Sequence, residues 1–512
     1  MSEYQGPESA NSLIIEKVIV TADRLGDRAY EIQTFTNEIA IYEHIDLPYL
    51  TGKMILADSR DLNTLINFQG TERVQITVSI PDEYASKTVT KKFMVTHVEN
   101  VTPTNDTSEV MILSLIEEHA YFSYVNAFSK SYEGKIEDII RNVLSDKLAI
   151  DEIDVAEGLE SRQKPIRVVI PYWTPLDTVR WLKDRATTID GLPFYLYSTL
   201  NNEKLVLTDL EKLLQATVPA GEEYRYGQAF TQDAQRSNDL NKQAKIIEKY
   251  ELPKTNDGLR MFREGFVNSQ YNFIDTLSNQ SLTSDGTKYT DARALIELEN
   301  KGLLPSEDGD IFDEYLEFDD TYATSYTSSV ISSIVTSFTY EDDLEQPSED
   351  RFFNYHEERF PVDHKESKVR SRIYRNYLLK NPLNIILPGR DFLGTGAKTV
   401  GKKINVRILK NDQDIYEGSL SMEDITDFKR SGEYLIYSIR HVMAVNDYRV
   451  SLTVARLNEG RKKDQSTAST QAEAGSSGFP ETPAQSTAET PKSPTPTSST
   501  PPGDPTAGPG PQ

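Results

Sequence analysis

Two stretches, KKFMVTHVENVTPTND at 91–106 and GEYLIYSIRHVMAVND at 432–447, decide how this chain is read. At a constant offset of 341, Phe93 meets Tyr434, Val95 meets Ile436, Val98 meets Ile439 and Val101 meets Val442. Without a gap Asn105-Asp106 then falls on Asn446-Asp447, and Met111 and Leu113 fall on Leu452 and Val454. Any two hairpins share alternation and an Asn-Asp turn, so alternation alone carries little. The order of features upstream also agrees. An apolar strand precedes Arg60-Asp61 and Arg390-Asp391, and a glycine (Gly70, Gly401) precedes an alternating strand (Val74–Ile80, Ile404–Ile408). Self-similarity at fixed spacing is the mark of a duplicated unit.

Around these two copies the chain divides by pattern. Residues 12–117 are short alternating strands, with Val74, Ile76, Val78 and Ile80 on one face. In 118–212 the period changes. Ile136, Ile139, Ile140, Val143 and Leu144 share a helical face, and Thr174-Pro175-Leu176-Asp177 marks a second helix start with a threonine cap and proline in the first turn. GLPFYLYSTL and EKLVLTDL pair as a hairpin about Asn201-Asn202. Residues 213–363 read as an irregular connection, partly helical in KQAKIIEKYEL and FVNSQYNFIDTLS. A helix over KESKVRSRIYRNYLLKN, with Val369, Ile373 and Tyr377 inward, leads into the second strand-rich unit, 364–460. Residues 1–11 read as a flexible start. Residues 461–512 are Pro, Ser and Thr rich and hold Phe479 as their one aromatic, too few apolar groups to offset the entropy of ordering. The expected class is α+β and β-rich: two barrel-like units, an α+β unit inserted between them, and a disordered tail.

Composition removes whole classes of function. The 512 residues include no Cys, which excludes disulfide scaffolds, thiolate metal sites and cysteine nucleophiles. With 55 basic against 80 acidic side chains and a net charge of -25, an acidic surface disfavours specific nucleic-acid binding. No apolar run is long enough to span a bilayer, and the first residues lack a signal-peptide pattern. Catalytic motifs fail one by one. PGRDFLGTGAKT at 388–399 has Ala397 and Phe392 where a phosphate loop needs glycine. His356-Glu357-Glu358 lacks its second histidine, Phe360 standing there, and EDGDIFDE at 307–314 has Phe312 and Asp313 in place of a calcium ligand and its glycine. No Gly-x-Ser-x-Gly elbow occurs, GSSG at 475–478 being only a near miss, and His119 and His441 are placed at strand ends as ordinary hydrogen-bonded histidines. No catalytic, metal or cofactor site is expected. One basic stretch, which includes Lys368, Arg372 and Arg375, is either a solvated helix face or an inter-subunit contact whose charge sets register.

The segments SKSYEGKIEDIIRNVL (129–144) and IPYWTPLDTVRWLKDRATTIDGLPFYLY (170–197), with GFVNSQYNFIDTL (265–277), LNIILPGRDFLGTGAKTVGKKINVRI (383–408) and SGEYLIYSIRHV (431–442), carry a resemblance. Jointly, over about 12–460, the chain resembles the baseplate hub proteins of contractile-tailed bacteriophages, and more distantly the hub half of type VI secretion spike proteins. That resemblance implies two tube-protein-like β-barrels per chain and a homotrimer whose pseudo-sixfold face meets the hexameric tail tube, its threefold face meeting the central spike. It also implies baseplate wedge and tape-measure proteins as neighbours, a channel for DNA, a place in the virion tail after synthesis in the host cytoplasm, and no enzyme activity. Three chains can meet a sixfold partner only if each offers the contact patch twice, which is a physical reason for duplication. A receptor- or glycan-binding tail protein and a carboxylate-based cell-wall hydrolase remain the rival readings.

Overall fold

The computed structural model describes residues 9–253 apart from 27, 82–86, 106, 162–165, 219–221 and 238. It also describes 382–456 apart from 411–424, 428 and 429, five positions within 371–379, and the strands Ser269–Asp275, Gln280–Thr283, Ser328–Val335 and Phe353–Asn354. The tail beyond 456, His356, the acidic 307–314 loop, Lys368, Val369, Arg372, Ile373 and Tyr377 lie outside the described residues.

The first strand-rich unit holds β1 (Ile14–Thr21), β2 (Thr36–His44), β3 (Thr51–Asp58), β4 (Arg73–Ile80), β5 (Lys87–Asn105) and β6 (Ser108–Glu117). Alternation drives them: Val74, Ile76, Val78 and Ile80 are all buried, while Arg73, Gln75 and Thr77 keep contact with solvent. An α+β unit follows, with α1 (Glu118–Val125), β7 (Ser131–Gly134), α2 (Ile136–Leu148), β8 (Ile153–Val155), β9 (Ile166–Val169), α3 (Pro175–Lys183), β10 (Phe194–Tyr197) and β11 (Leu205–Asp209). Then come β12 (Glu223–Tyr226), β13 (Lys249–Glu251), β14 (Leu383–Pro388), β15 (Lys403–Ile408), β16 (Gly432–Ala444) and β17 (Asp447–Ala455).

Twelve of these strands and the short pair Tyr30–Glu31 build one 13-stranded sheet. Its path runs β13-β14-β17-β16-β2-β3-β6-β5-β4-β1, with β15 on β16 and β12 on β15. The same four-strand order therefore occurs twice: β3-β6-β5-β4 and β14-β17-β16-β15. Details repeat with it. Each long strand carries a register shift at the same place, Val95/His97 in β5 and Ile436/Ser438 in β16. Val95 N–H donates to Glu72 O (2.8 Å), as Ile436 N–H does to Lys402 O (2.9 Å). Gly70 and Gly401, each shortly before the next strand, share a left-handed backbone at φ 81° and 80°, which glycine adopts without Cβ strain.

The offset of 341 fails beyond Glu99. Val98 faces Leu113 and Ile439 faces Leu452, so Leu452 matches Leu113, not Met111. Two further bulges in β5, at Glu99/Thr102 and Pro103/Asn105, each take up one extra residue. The two copies are therefore related by 341 up to Glu99, by 340 at Thr102, and by 339 from Asn105 through the second arm.

Parts of the two segments read as helical are strands. Lys249–Glu251 pairs antiparallel with β14, and Ser269–Asp275 pairs with Gln280–Thr283 and Ser328–Val335. Runs this short cannot separate a period of 2 from one of 3.6. Leu240–Ala244, at the start of the first segment, is helical.

In the α+β unit, Ile136, Ile139, Ile140, Val143 and Leu144 of α2 pack with Leu176, Val179 and Leu182 of α3 in a core of their own. Thr174 caps α3, its hydroxyl accepting from Asp177 N–H at 3.2 Å, with Pro175 at the first helical position. Thr174→Ala is expected to cost about 1 kcal/mol, read as a lowered denaturation midpoint.

Candidate functional site: the seam between the repeats

The two copies meet where β16 changes partner. Up to Leu435 it pairs with β15; past the bulge at Tyr437, Ser438–Ala444 pair antiparallel with β2, from Ser438 opposite His44 to Ala444 opposite Glu38. Ile45 N–H extends the ladder to Tyr437 O at 3.0 Å.

A polar relay is sealed inside this seam. Glu43 of β2, His441 of β16 and Tyr448 of β17 are all buried. The Tyr448 hydroxyl lies 2.7 Å from His441 Nδ1, and His441 Nε2 sits 3.2 Å from Glu43 Oε1, off the linear hydrogen-bond direction. Burial, with the nearby Glu43 charge, pushes the Tyr448 phenol well above its ordinary pKa. His441 is thus interior to β16 rather than at a strand end. A carboxylate this deep needs donors. Leu200 N–H donates to Glu43 Oε1 (2.6 Å) and Val400 N–H to Oε2 (3.3 Å).

Leu200 belongs to the β10–β11 turn, and that turn grips both copies. Ser198 Oγ donates to Glu117 Oε2 (2.9 Å) at the end of β6, and Lys91 Nζ of β5 donates to Asn202 O (2.8 Å). On the other side, Asn201 Nδ2 donates to Phe392 O (3.0 Å) and Gly394 N–H to Asn201 Oδ1 (2.7 Å). The sequence marks Asn201-Asn202 only as a turn; the structure makes it the clamp across the seam.

Beside it lies a second charged cluster. Asp46, two residues past β2, pairs with Lys183 of α3 and accepts from Arg375 Nη1 at 2.8 Å. Arg375 also donates to Phe194 O (2.6 Å) and lies over the Tyr195 ring, 4.8 Å from its centroid. Burial opposes ionisation of Asp46, yet Arg375 and Lys183 together hold its carboxyl below the usual range. Burial pushes the Lys183 ammonium down, Asp46 working against it. Of the three basic residues singled out in the sequence, Arg375 is described, and its guanidinium is engaged within its own chain.

No protein-family model and no curated protein matches the sequence. Solved structures do. A tail protein from Neisseria meningitidis MC58 aligns at 10% identity over 86% of this chain and 96% of its own, with a TM-score of 0.45. The 43 kDa tail protein of prophage MuSo2 from Shewanella oneidensis aligns at 12% over 86% and 99%, TM-score 0.44. An E. coli component of the type VI secretion system, itself described as similar to T4 tail proteins, aligns at 8% over 88% and 78%, TM-score 0.39. The chain is similar to phage tail and type VI secretion proteins.

The buried carboxylates are tied into the fold. Glu72 accepts from the N–H groups of Gln69, Gly70 and Thr71. Asp58 accepts from those of Arg60, Leu62 and Asn63, and Glu117 from Leu50 N–H and Ser198. Among the described residues no group of three or more His, Asp or Glu is placed to hold a metal, and no helix is long and apolar enough to cross a membrane.

Proposed function

We propose that this chain is the structural baseplate hub of a phage tail, acting as a homotrimer that adapts a hexameric tail tube to a trimeric central spike. One observation carries the reading. The same four-strand order occurs twice and the copies join edge to edge in a single sheet, so one chain offers two like surfaces in succession. Three such chains present six, which is what a sixfold tube requires of a threefold adaptor. Each copy, closed by its flanking strands, would be a tube-like barrel, with 12–117 and 364–460 as their main segments and 118–212 as the inserted unit. The ring would enclose the DNA channel. Its lumen would carry an excess of carboxylates, in keeping with the net charge of -25, so that DNA passes without binding. Wedge and tape-measure proteins are the further neighbours this places beside it. Lys368 and Arg372 are proposed to face a neighbouring acidic subunit, while Arg375 is held by Asp46 of its own chain. The role is mechanical rather than enzymatic, and it places the protein in the virion tail.

Solution mass with negative-stain imaging of the purified chain tests this. Three chains in a ring with a central hole is the expected result; a monomer at micromolar concentration overturns it.

A further inference from the structure

We propose that His44 makes the junction after β2 an acid-sensitive latch: a proton on its ring loosens the turn through which the first copy holds the α+β unit. His44 is the last residue of β2 and stands opposite Ser438 of β16. The turn that follows it touches three parts of the chain. Ile45 N–H donates to Tyr437 O (3.0 Å), Asp46 pairs with Lys183 of α3 and with Arg375, and Ser198 N–H of the β10–β11 turn donates to Leu47 O (3.3 Å). Two bonds close the turn, and both belong to His44. Its carbonyl accepts from Leu47 N–H (3.1 Å), and its ring Nδ1 accepts from Asp46 N–H (3.1 Å).

An imidazole nitrogen accepts a hydrogen bond only while it carries no proton. A backbone N–H can only donate, so the bond from Asp46 fixes a neutral His44 ring with its proton on Nε2. Protonated, Nδ1–H would point at Asp46 N–H, donor against donor, and one of the two must turn away. The ring is half-buried, so protons from solvent reach it.

The charges around it oppose that proton more than they favour it. Asp46 from its own turn and Lys183 from α3 act on the ring, and Tyr437 from β16 lies edge to face with it, 4.9 Å between centroids. Behind them Arg375, Asp184 and Tyr195 of β10 complete the cluster. Asp46 favours the imidazolium, but it is already shared between Lys183 and Arg375, and a third cation draws it off the other two. Burial pushes the imidazole below its ordinary pKa, Asp46 works against that shift and Lys183 adds to it. Between the lowered folded value and about 6.5 the unfolded or opened turn therefore binds more protons. The latch is complete above about pH 6.5 and is lost as pH falls through the folded value. All of these contacts lie within one chain, so the latch stands whether or not the chain forms a trimer.

Hydrogen exchange on the intact chain, with rates corrected for the intrinsic effect of pH, tests this. Between about pH 7.5 and about pH 5, protection over residues 44–50 and 194–202 is expected to fall about fivefold, the worth of one net hydrogen bond, while β4 keeps its own. His44→Asn is the discriminating variant. An asparagine side chain accepts from the backbone two residues on, as Nδ1 does here, and takes up no proton in this range. Its protection should stay level. The wild type alone gives a second reading that does not depend on how the variant folds: the midpoint of its loss should lie below about pH 6.5. A midpoint at or above that value, an equal loss in His44→Asn, a loss shared equally by β4, or no loss in the wild type overturns the latch.

Discussion

Replacing Asp46 with alanine is expected to lower stability by about 3–5 kcal/mol, the range for removing one partner of a buried ion pair. The size follows from what is left behind. Lys183 has a side chain 2% exposed, and Arg375 shares Asp46 as its nearest anion. Without that carboxylate two cations from different units, Lys183 of α3 and Arg375 ahead of β14, share only the half-exposed Asp184, at 3.5 and 3.8 Å, in a site that also holds Tyr195. Asp46→Asn keeps the volume and loses the charge, so it separates packing from electrostatics; it should recover less than half of the loss. The pH dependence carries a defined sign. The folded-state pKa of Asp46 lies below its unfolded value, so the unfolded chain binds more protons between the two. Its contribution is then complete above about pH 4 and disappears as pH falls through the lowered folded value. The difference between wild type and Asp46→Asn, read from denaturant midpoints, should be flat from pH 5 to 7 and shrink toward pH 3. A difference that grows on acidification would show that Asp46 is not held ionised by its neighbours.

Much of this architecture is written in local pattern, and what is not has physical causes. Val74 to Ile80 alternates cleanly because one face of β4 is buried and the other is not. Thr174-Pro175 announces α3 because a helix start has local chemistry. β12 and β13 are invisible to the same reading. They sit more than 130 residues before β14, with which β13 pairs, and are only four and three residues long, so nothing near them states whose edge they complete. The two-residue slip in the repeat is equally hidden, since bulges in β5 absorb it without disturbing the inward face. The relay did leave a trace. Ile39, Ile41, Glu43 and Ile45 share one parity in and beyond β2, and Ile439, His441 and Met443 share one in β16. All seven are buried. An acid and a histidine on inward parity in two strands is the pattern of a buried pair, and it is readable before any fold is known. Lys183 likewise follows Leu176 and Val179 at helical spacing onto the buried side of α3.

Glu43 is the residue through which the seam is expected to fail most sharply. Glu43→Ala strips an acceptor from Leu200 N–H and Val400 N–H and leaves His441 buried beside an empty space, a combined loss of about 3–5 kcal/mol. Glu43→Gln should cost less, about 1–3 kcal/mol, because one of its two oxygens becomes a donor facing a backbone N–H. These losses fall between the copies, so denaturation of Glu43→Ala is expected to split into two transitions where the wild type shows one. The relay adds a finer test. Tyr448 reaches Glu43 through His441, so Tyr448→Phe and Glu43→Gln should be coupled by at least about 0.5 kcal/mol in a double-mutant cycle. With His441→Phe as background that coupling should vanish, because the ring that joins the two ends is gone. Strictly additive losses in the wild-type background would reduce the three residues to neighbours packed in one seam. A coupling that depends on His441 would make them one network, held between β2 and β16 by the turn at Leu200.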